Sequence, residues 1–250
     1  IDLYYAHEDD PQTPLDETLG AFDELIQSGK VHYIAASNFT AKRLQDSLEV
    51  SRKNGFAAYV AAQDQYNLLE RDYERTLQPT LLQNSLSQLP YFGLARGFLT
   101  GKYRPGKSVD SMRAGGMGCY QNERGWALLS KMDDLAEKYQ TTVSAIALAW
   151  LRAQPSVAAP IASVRTLEQL KEIMPIVALS AEELQTLTNS SVVCKSITHY
   201  IWPSPSGRKW PNGRMRGYFK LLNFLAFPFR SIPDPLSAMV PPHPLAEGFQ

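Results

Sequence analysis

Residues that can donate and accept hydrogen bonds follow three short apolar runs of the sequence. They are His7, the pair Ser37-Asn38, and Gln63. Because the carboxyl ends of parallel strands meet at one edge of a sheet, we expect these side chains to lie together. Imidazole, hydroxyl and amide groups at such an edge can orient a small polar ligand. Taken alone, the Ser37-Asn38 pair also fits the cap of the helix that follows.

These runs belong to a repeated alternation of strand and helix patterns. β-Branched and aromatic runs predict five strands, over Ile1–Ala6, Val31–Ala36, Ala57–Gln63, Leu86–Tyr91 and Val157–Ser163. Apolar residues at helical spacing predict helices from Pro14 to near Gly29, from Thr40 onward, and over Tyr73–Gln83, Gly125–Tyr139, Thr142–Ala153, Thr166–Met174 and Ser180–Thr188. Thr13 is expected to cap the first helix, and Ser180 with Glu183 has the pattern of a capping box. The alternation predicts a parallel sheet.

Two stretches depart from this alternation. Residues 100–122 contain five glycines and several charges, and we expect a long excursion over the strand ends. Residues 191–250 contain nine prolines, nine aromatic residues and seven Lys or Arg against two Asp or Glu, without a helical or strand period. The sequence therefore predicts a domain over residues 1–190 and an atypical, disordered or loosely docked tail over residues 191–250.

The composition argues against several classes of function. Lys plus Arg and Asp plus Glu number 25 each, and a net charge of zero argues against nucleic acid or an anionic membrane as partner. The two cysteines, Cys119 and Cys194, indicate neither a disulfide framework nor a cysteine metal site, and they suit a reducing cytoplasm. No apolar run approaches the length of a membrane span, and the first residues lack the pattern of a signal peptide.

The order of the elements favours one fold over another. Five strand-helix units with polar strand ends are typical of most of a (β/α)8 barrel, in which ligands bind at the carboxyl ends of the strands. The alternative is a doubly wound open sheet, which is disfavoured because no G-x-G-x-x-G follows any predicted strand. The sequence therefore predicts an α/β fold that forms part of a TIM barrel.

Five blocks of the sequence resemble the aldo-keto reductase family. The blocks are DLYYAH, GKVHYIAASNF, AAQDQYNLLER, PYFGLARGFLTGKYRPG and APIASVRTLEQL, and they keep the family's order and spacing from Ile1 to about Ser190. The resemblance implies a TIM barrel that binds NADPH, or less often NADH, and reduces small aldehydes or ketones to alcohols. It also implies that the first three β/α units of the barrel are missing from this sequence.

The resemblance assigns roles to particular residues. His7 matches the catalytic histidine that orients the carbonyl group of the substrate. Ser37, Asn38 and Gln63 match the side chains that hydrogen-bond the nicotinamide carboxamide. Tyr91 matches the aromatic residue that stacks on the nicotinamide ring. Leu94 and Arg96 fall in the loop that covers the pyrophosphate, although Arg96 also fits a solvated loop charge. The region that holds the adenosine 2'-phosphate is matched by Ser163, Arg165 and Gln169, which favours NADPH.

The sequence also departs from the family. The family's catalytic Asp, Tyr and Lys lie in the first three units, so we expect this chain to be inactive or impaired as a reductase. Ile173 follows Glu172 where the family usually has Asn, which removes an adenine contact. Two further functions stay open, a non-catalytic nucleotide- or partner-binding module similar to the channel β-subunits of the family, and an inert fragment of a mispredicted gene product. Neither the substrate nor the oligomeric state follows from the sequence.

Overall fold

The computed structural model describes residues 1–107 and 118–191. The strands are β1 (Leu3–Ala6), β2 (Tyr33–Ser37), β3 (Tyr59–Gln63) and β4 (Ser87–Gln88). The helices are α1 (Leu15–Gln27), α2 (Ala41–Asn54), α3 (Tyr73–Thr76), α4 (Gln78–Gln83), α5 (Glu123–Lys138), α6 (Val143–Arg152), α7 (Leu167–Ile173) and α8 (Ala181–Ser190). The predicted tail and residues 108–117 of the predicted excursion lie outside the described residues, so the boundary at residue 190 stays a prediction.

The strands form one parallel sheet in the order β1-β2-β3-β4. Tyr5 of β1 is paired with Ala35 of β2, and Ala36 of β2 with Ala62 of β3. Ala62 is in turn paired with Gln88 of β4. The predicted parallel sheet is therefore present, and its strands end along one edge.

Local sequence signals fix several helix ends. The Thr40 hydroxyl accepts a hydrogen bond from the Arg43 N–H at 3.2 Å and so caps α2. At the start of α8, Ser180 and Glu183 form the predicted capping box. The prediction for Thr13 is wrong, because its hydroxyl donates to the Asp10 carboxylate at 2.7 Å and α1 begins without a side-chain cap.

Prolines shorten or divide two predicted elements, and a third predicted element does not form. The single helix predicted over Tyr73–Gln83 is two short helices, since Pro79 lacks the N–H that would continue the hydrogen-bond pattern. The predicted strand Leu86–Tyr91 is reduced to β4, which ends before Pro90. No strand forms over Val157–Ser163. That segment makes one isolated bridge, between Val157 and Gln88 of β4. The Ala158 N–H donates to the Gln88 carbonyl oxygen and the Ile161 N–H to the Pro90 carbonyl oxygen, both at 2.9 Å.

The helices bury aromatic side chains against one face of the sheet. Phe22 of α1 packs edge-on against Tyr4 of β1 and Tyr59 of β3, with ring centroids 5.6 and 6.3 Å apart. Farther along the chain, α5 packs against α6 and α8. Trp150 of α6 is fully buried and packs against Tyr66, with the two ring centroids 5.5 Å apart. Within the described residues, no helix is long and apolar enough to cross a membrane. The cytoplasmic location stays a prediction.

Candidate functional site

Hydrogen bonds join five of the predicted site residues along the carboxyl edge of the sheet. The Ser37 hydroxyl donates to the Gln63 carbonyl oxygen at 2.7 Å. The Asn38 amide nitrogen donates to the His7 carbonyl oxygen at 3.0 Å and to Ser37 Oγ at 3.1 Å. The Tyr91 hydroxyl donates to Asn38 Oδ1 at 2.8 Å. We refer to these five residues as the strand-tip network. His7 and Gln63 take part through their backbone carbonyl oxygens, so the structure brings the predicted residues to one edge without joining all of their side chains.

Asn38 is the centre of the strand-tip network. Its φ of 60° lies in the left-handed region, which Asn tolerates better than most residues do. Thr40 caps α2, so the alternative in which Ser37 and Asn38 cap that helix is wrong. Ser37 is instead buried, and its hydroxyl bridges β2 and β3.

The turn after β3 holds Tyr91 in place. The Tyr91 N–H donates to the Asp64 carbonyl oxygen at 3.1 Å, and the Tyr66 N–H donates to the Tyr91 carbonyl oxygen at 3.4 Å. The fully buried Asn67 amide donates to the Phe92 carbonyl oxygen at 3.0 Å. Tyr91 is thus held by the hydrogen bonds of its backbone, of the next residue Phe92 and of its own hydroxyl. Sequence reasoning missed Asn67, because only its burial distinguishes it from other loop amides.

Two ionisable groups of the site have perturbed pKa values. Burial raises the pKa of Tyr91 to about 12, and the negative charges of Asp64 and Glu70 act in the same direction. Burial also raises the pKa of Asp64 to about 7, and a hydrogen bond from the Asn38 backbone N–H opposes this rise. Asp64 was not among the predicted site residues. Its position directly after β3 was the available signal, but the sequence does not reveal its burial.

Leu94 and Arg96 lie in the turns that follow Tyr91. The Leu94 carbonyl oxygen accepts from the N–H groups of Gly97 and Leu99 at 2.8 and 3.2 Å. Arg96 has a φ of 56°, and its guanidinium carbon lies 4.8 Å from the centroid of the Phe92 ring. The predicted pyrophosphate loop is therefore a tight, ordered turn next to the strand-tip network.

The residues predicted to hold the 2'-phosphate form a separate cluster in the segment before α7 and in the first turn of that helix. Ser163 and Arg165 are exposed, and the Arg165 N–H donates to Gln169 Oε1 at 2.8 Å. The Arg165 guanidinium makes no ion pair or hydrogen bond with the described residues. The hydrogen bond from Ile161 N to Pro90 O places this segment beside the chain that leads to Tyr91. Within the described residues, no hydrogen bond links the cluster directly to the strand-tip network.

The strand-tip network keeps hydrogen-bonding capacity for a ligand. The Gln63 side-chain amide and the His7 imidazole make no hydrogen bond with the described residues. Asn38 Oδ1 accepts one hydrogen bond in the network and has a second lone pair. The site can therefore offer both donors and acceptors to a primary amide. Over residues 1–107 and 118–191, no three or more His, Cys, Asp or Glu side chains are grouped to hold a metal ion.

Comparison with known proteins identifies the family. The profile of the Aldo/keto reductase family matches residues 1–191. The chain belongs to the aldo/keto reductase family. It is 32% identical over 215 residues to an uncharacterized oxidoreductase of Bacillus subtilis, covering 83% of this chain and 60% of that protein. It is 29% identical to a versiconal hemiacetal acetate reductase of Aspergillus parasiticus, covering 75% of this chain and 56% of the reductase.

Solved structures of the family have the same fold. A thermostable aldo-keto reductase in complex with the inhibitor epalrestat superposes with a TM-score of 0.60 at 28% identity, over 76% of this chain and 60% of the other. A glycerol dehydrogenase from Gluconobacter oxydans gives a TM-score of 0.66 at 28% identity, over 76% and 58%. The predicted partial TIM barrel is confirmed. The chain spans about 60% of the length of these relatives.

Proposed function

We propose that this oxidoreductase chain binds NADPH at the strand-tip network and contributes to the reduction of a small aldehyde or ketone beside His7. The observation that carries the proposal is the set of hydrogen bonds that converge on Asn38 from β1, β2 and the end of β4. When bound, NADPH supplies the hydride for the carbonyl carbon. The residues of this chain bind the cofactor, orient it and stabilise charge on the carbonyl oxygen.

The nicotinamide carboxamide suits the hydrogen-bonding groups that the network leaves open. The second lone pair of Asn38 Oδ1 can accept from the carboxamide nitrogen, and the Gln63 amide nitrogen can donate to its oxygen. Both groups are held close by the Ser37 hydroxyl, which bonds to the Gln63 backbone and accepts from Asn38. Tyr91 then offers its ring to the nicotinamide, since its hydroxyl is already engaged with Asn38.

The far end of the cofactor suits the cluster before α7. Arg165 carries an exposed guanidinium without a partner among the described residues, and guanidinium groups bind phosphate dianions strongly. Ser163 adds a hydroxyl next to it, and Gln169 shapes the loop by accepting from the Arg165 N–H. Leu94 and Arg96 cover the pyrophosphate in this proposal. A site for the 2'-phosphate favours NADPH over NADH.

The proposed reaction requires a hydrogen-bond donor at the carbonyl oxygen, and His7 is the group in the network that is free to donate to it. Tyr91 is a poor proton source because its pKa is about 12 and its hydroxyl donates to Asn38. Among the described residues, no lysine joins the strand-tip network to lower that value. We therefore expect this chain to bind NADPH but to reduce aldehydes slowly.

A titration of the 250-residue chain with NADPH tests the proposal. Protein fluorescence should be quenched to saturation, and a simple aromatic aldehyde should cause slow oxidation of NADPH that is lost in His7→Ala. Arg165→Gln should weaken NADPH binding about tenfold and leave NADH binding unchanged, as expected for one lost charge-assisted contact. Arg52→Gln, on the exposed face of α2, is the matched control. Absence of saturable quenching would contradict the proposal and favour an inert chain.

A second candidate function is supported by another relative. A putative voltage-gated potassium channel β-subunit of Schizosaccharomyces pombe is 31% identical over 180 residues, covering 69% of this chain and 52% of that protein. A non-catalytic module of this kind would use bound nucleotide to control a partner. Saturable NADPH binding with no oxidation by a panel of aldehydes and ketones would favour the module over the reductase.

A further inference from the structure

The carboxyl group of Asp64 is enclosed beside the strand-tip network. Asp64 follows Gln63 directly, and its carbonyl oxygen accepts from the Tyr91 N–H at 3.1 Å and from the Gln88 amide at 3.2 Å. The Asn38 backbone N–H donates to its carboxyl group. Asp64 Oδ2 is shielded from solvent and accepts no hydrogen bond from the described residues. The backbone of Asp64 is therefore fixed against Tyr91, and its carboxyl group lies against Asn38 with one oxygen neither solvated nor paired within the described residues.

Among residues 1–107 and 118–191, no cation acts on the pKa of Asp64. Burial raises the pKa of Asp64 to about 7, and the hydrogen bond from the Asn38 N–H acts against that rise. The charge of Asp64 in turn raises the pKa of Tyr91 and of Tyr73 at the start of α3. Beyond Tyr91, Glu70 adds a negative charge and Arg96 a positive one, and these two act on Tyr91 in opposite directions. The electrostatic field of Asp64 thus reaches the ring that is proposed to contact the nicotinamide.

We propose that Asp64 is a specificity residue that makes the strand-tip site favour the oxidised cofactor over the reduced one. The proposal rests on the proposed binding of a nicotinamide dinucleotide. The oxidised nicotinamide ring carries a positive charge and the reduced ring is neutral. Because the negative charge of Asp64 acts at Tyr91, it should attract the oxidised nicotinamide ring, which is positive, and not the neutral reduced ring. Partial burial strengthens this attraction, because little solvent lies between the two charges.

The preference depends on the ionisation of Asp64. Because its folded-state pKa is raised to about 7, the carboxylate is present above that pH and is lost below it. The preference for NADP+ should therefore grow as the pH rises through 7. By linkage, NADP+ should lower the pKa of Asp64 and release part of a proton from it on binding, whereas NADPH should release none from this group.

Binding measurements on three proteins test the proposal. Dissociation constants for NADP+ and NADPH are measured by calorimetry from pH 6 to pH 8.5 for the native chain, Asp64→Asn and Asp134→Asn. Asn at position 64 keeps an acceptor for the Asn38 N–H and removes the charge. Asp134, on the exposed face of α5, is a matched control. The ratio of the two constants cancels the titration of the 2'-phosphate, which both cofactors share.

For the native chain and Asp134→Asn, the ratio of the NADPH to the NADP+ dissociation constant should rise on the order of tenfold from pH 6 to pH 8.5. Asp64→Asn should bind both cofactors with a ratio that does not change with pH. Carbon-13 NMR of the Asp64 carboxyl in the cofactor-free chain should show titration near pH 7. Titration below pH 5, or a pH-independent ratio in the native chain, would overturn the role of Asp64 and leave cofactor binding intact. Failure of both cofactors to bind would overturn the proposed function and the role of Asp64 together.

Discussion

Replacement of Asn67 by alanine should reveal how strongly the turn after β3 supports the fold and the site. Asn67 is fully buried, and its amide nitrogen donates to the Phe92 carbonyl oxygen and to the Glu70 carboxylate, both at 3.0 Å. Its amide oxygen accepts from the Leu69 and Glu70 N–H groups at 2.8 and 3.1 Å. Alanine would leave several partners without a hydrogen bond in a region that excludes water.

The magnitude follows from the number of orphaned groups. Each buried polar group that loses its partner costs about 1–3 kcal/mol, and relaxation or entering water recovers part of the cost. With the Phe92 carbonyl oxygen and the Leu69 N–H both affected, we expect the free energy of unfolding to fall by about 3–4 kcal/mol. This is a large fraction of the roughly 5–15 kcal/mol that stabilises a typical domain.

Urea unfolding followed by tryptophan fluorescence measures this change. The unfolding midpoint of Asn67→Ala should fall by about 1.5–2 M, given a slope of about 2 kcal/mol per M. Asn54→Ala at the exposed end of α2 is the matched control and should change stability by less than about 0.5 kcal/mol. Equal midpoints for the two variants would refute the reasoning. Asn67→Asp keeps the acceptor but loses the donor to Phe92, so it should also be destabilised.

Four further substitutions test other parts of the structure. Tyr91→Phe keeps the ring but loses one hydrogen bond, so NADPH affinity should fall about fivefold in a fluorescence titration. The ammonium group of Lys138 holds the pKa of Glu183 at about 2, below the ordinary 4.5, so stability present above pH 4.5 should be lost toward pH 2, and Glu183→Gln should lose less. Gly125→Ala should cost at least about 3 kcal/mol because its Cβ would lie 1.9 Å from a backbone oxygen. Gly20→Ala, whose Cβ would meet nothing closer than 3.6 Å, should stabilise α1 by about 0.5–1 kcal/mol.

Each of these has a control on the same chain. Tyr33→Phe, at an exposed tyrosine of β2, should leave NADPH affinity unchanged, and an equal loss in both tyrosine variants would contradict a role for the Tyr91 hydroxyl. Glu182→Gln, next to Glu183 but exposed, should follow the native acid unfolding curve. If the two glycine variants had equal melting temperatures, the close approach at Gly125 would not be a packing constraint.

Local signals in the sequence predicted the helices well. The hydroxyl of Thr40 and the pairing of Ser180 with Glu183 act within one turn of chain, so their effect can be read without the rest of the fold. The same logic failed at Thr13, because Asp10 offered its hydroxyl a competing partner. A side chain caps a helix only if no other neighbour binds it instead. The sequence of residues 10–15 allows Thr13 either to cap α1 or to bond to Asp10.

The strands were predicted less well than the helices. The segment Val157–Ser163 has the composition of a strand, but strand formation also requires a partner with free backbone groups. Its partner β4 is only two residues long, because Pro90 interrupts the ladder. Periodicity describes a segment on its own, whereas pairing depends on two segments at once. This difference explains why the fifth strand was wrongly predicted.

The position of the strand-tip residues along one edge of the sheet was predictable from the sequence, but the hydrogen bonds among them were not. That Ser37, Asn38 and Gln63 lie together follows from the rule that parallel strands end on one side of a sheet. The burial of Asp64 depends on the chain around Asn38 and Tyr91, which come from distant parts of the sequence. No pattern of residue types near Asp64 encodes that enclosure. The roles of Ser163, Arg165 and Gln169 stay predictions, since no hydrogen bond within the described residues links them to the strand-tip network.

The order of the strands in the sheet has a consequence for how the chain folds. Neighbouring strands also follow one another in sequence, so the bonds of the strand-tip network span 26, 31 and at most 53 residues. The hydrogen bond from Arg71 to the Thr188 carbonyl oxygen, which anchors α8, spans 117 residues. Short loops close at a smaller entropic cost than long ones. During synthesis, a chain that has emerged as far as Tyr91 can therefore assemble the network before α8 has been translated.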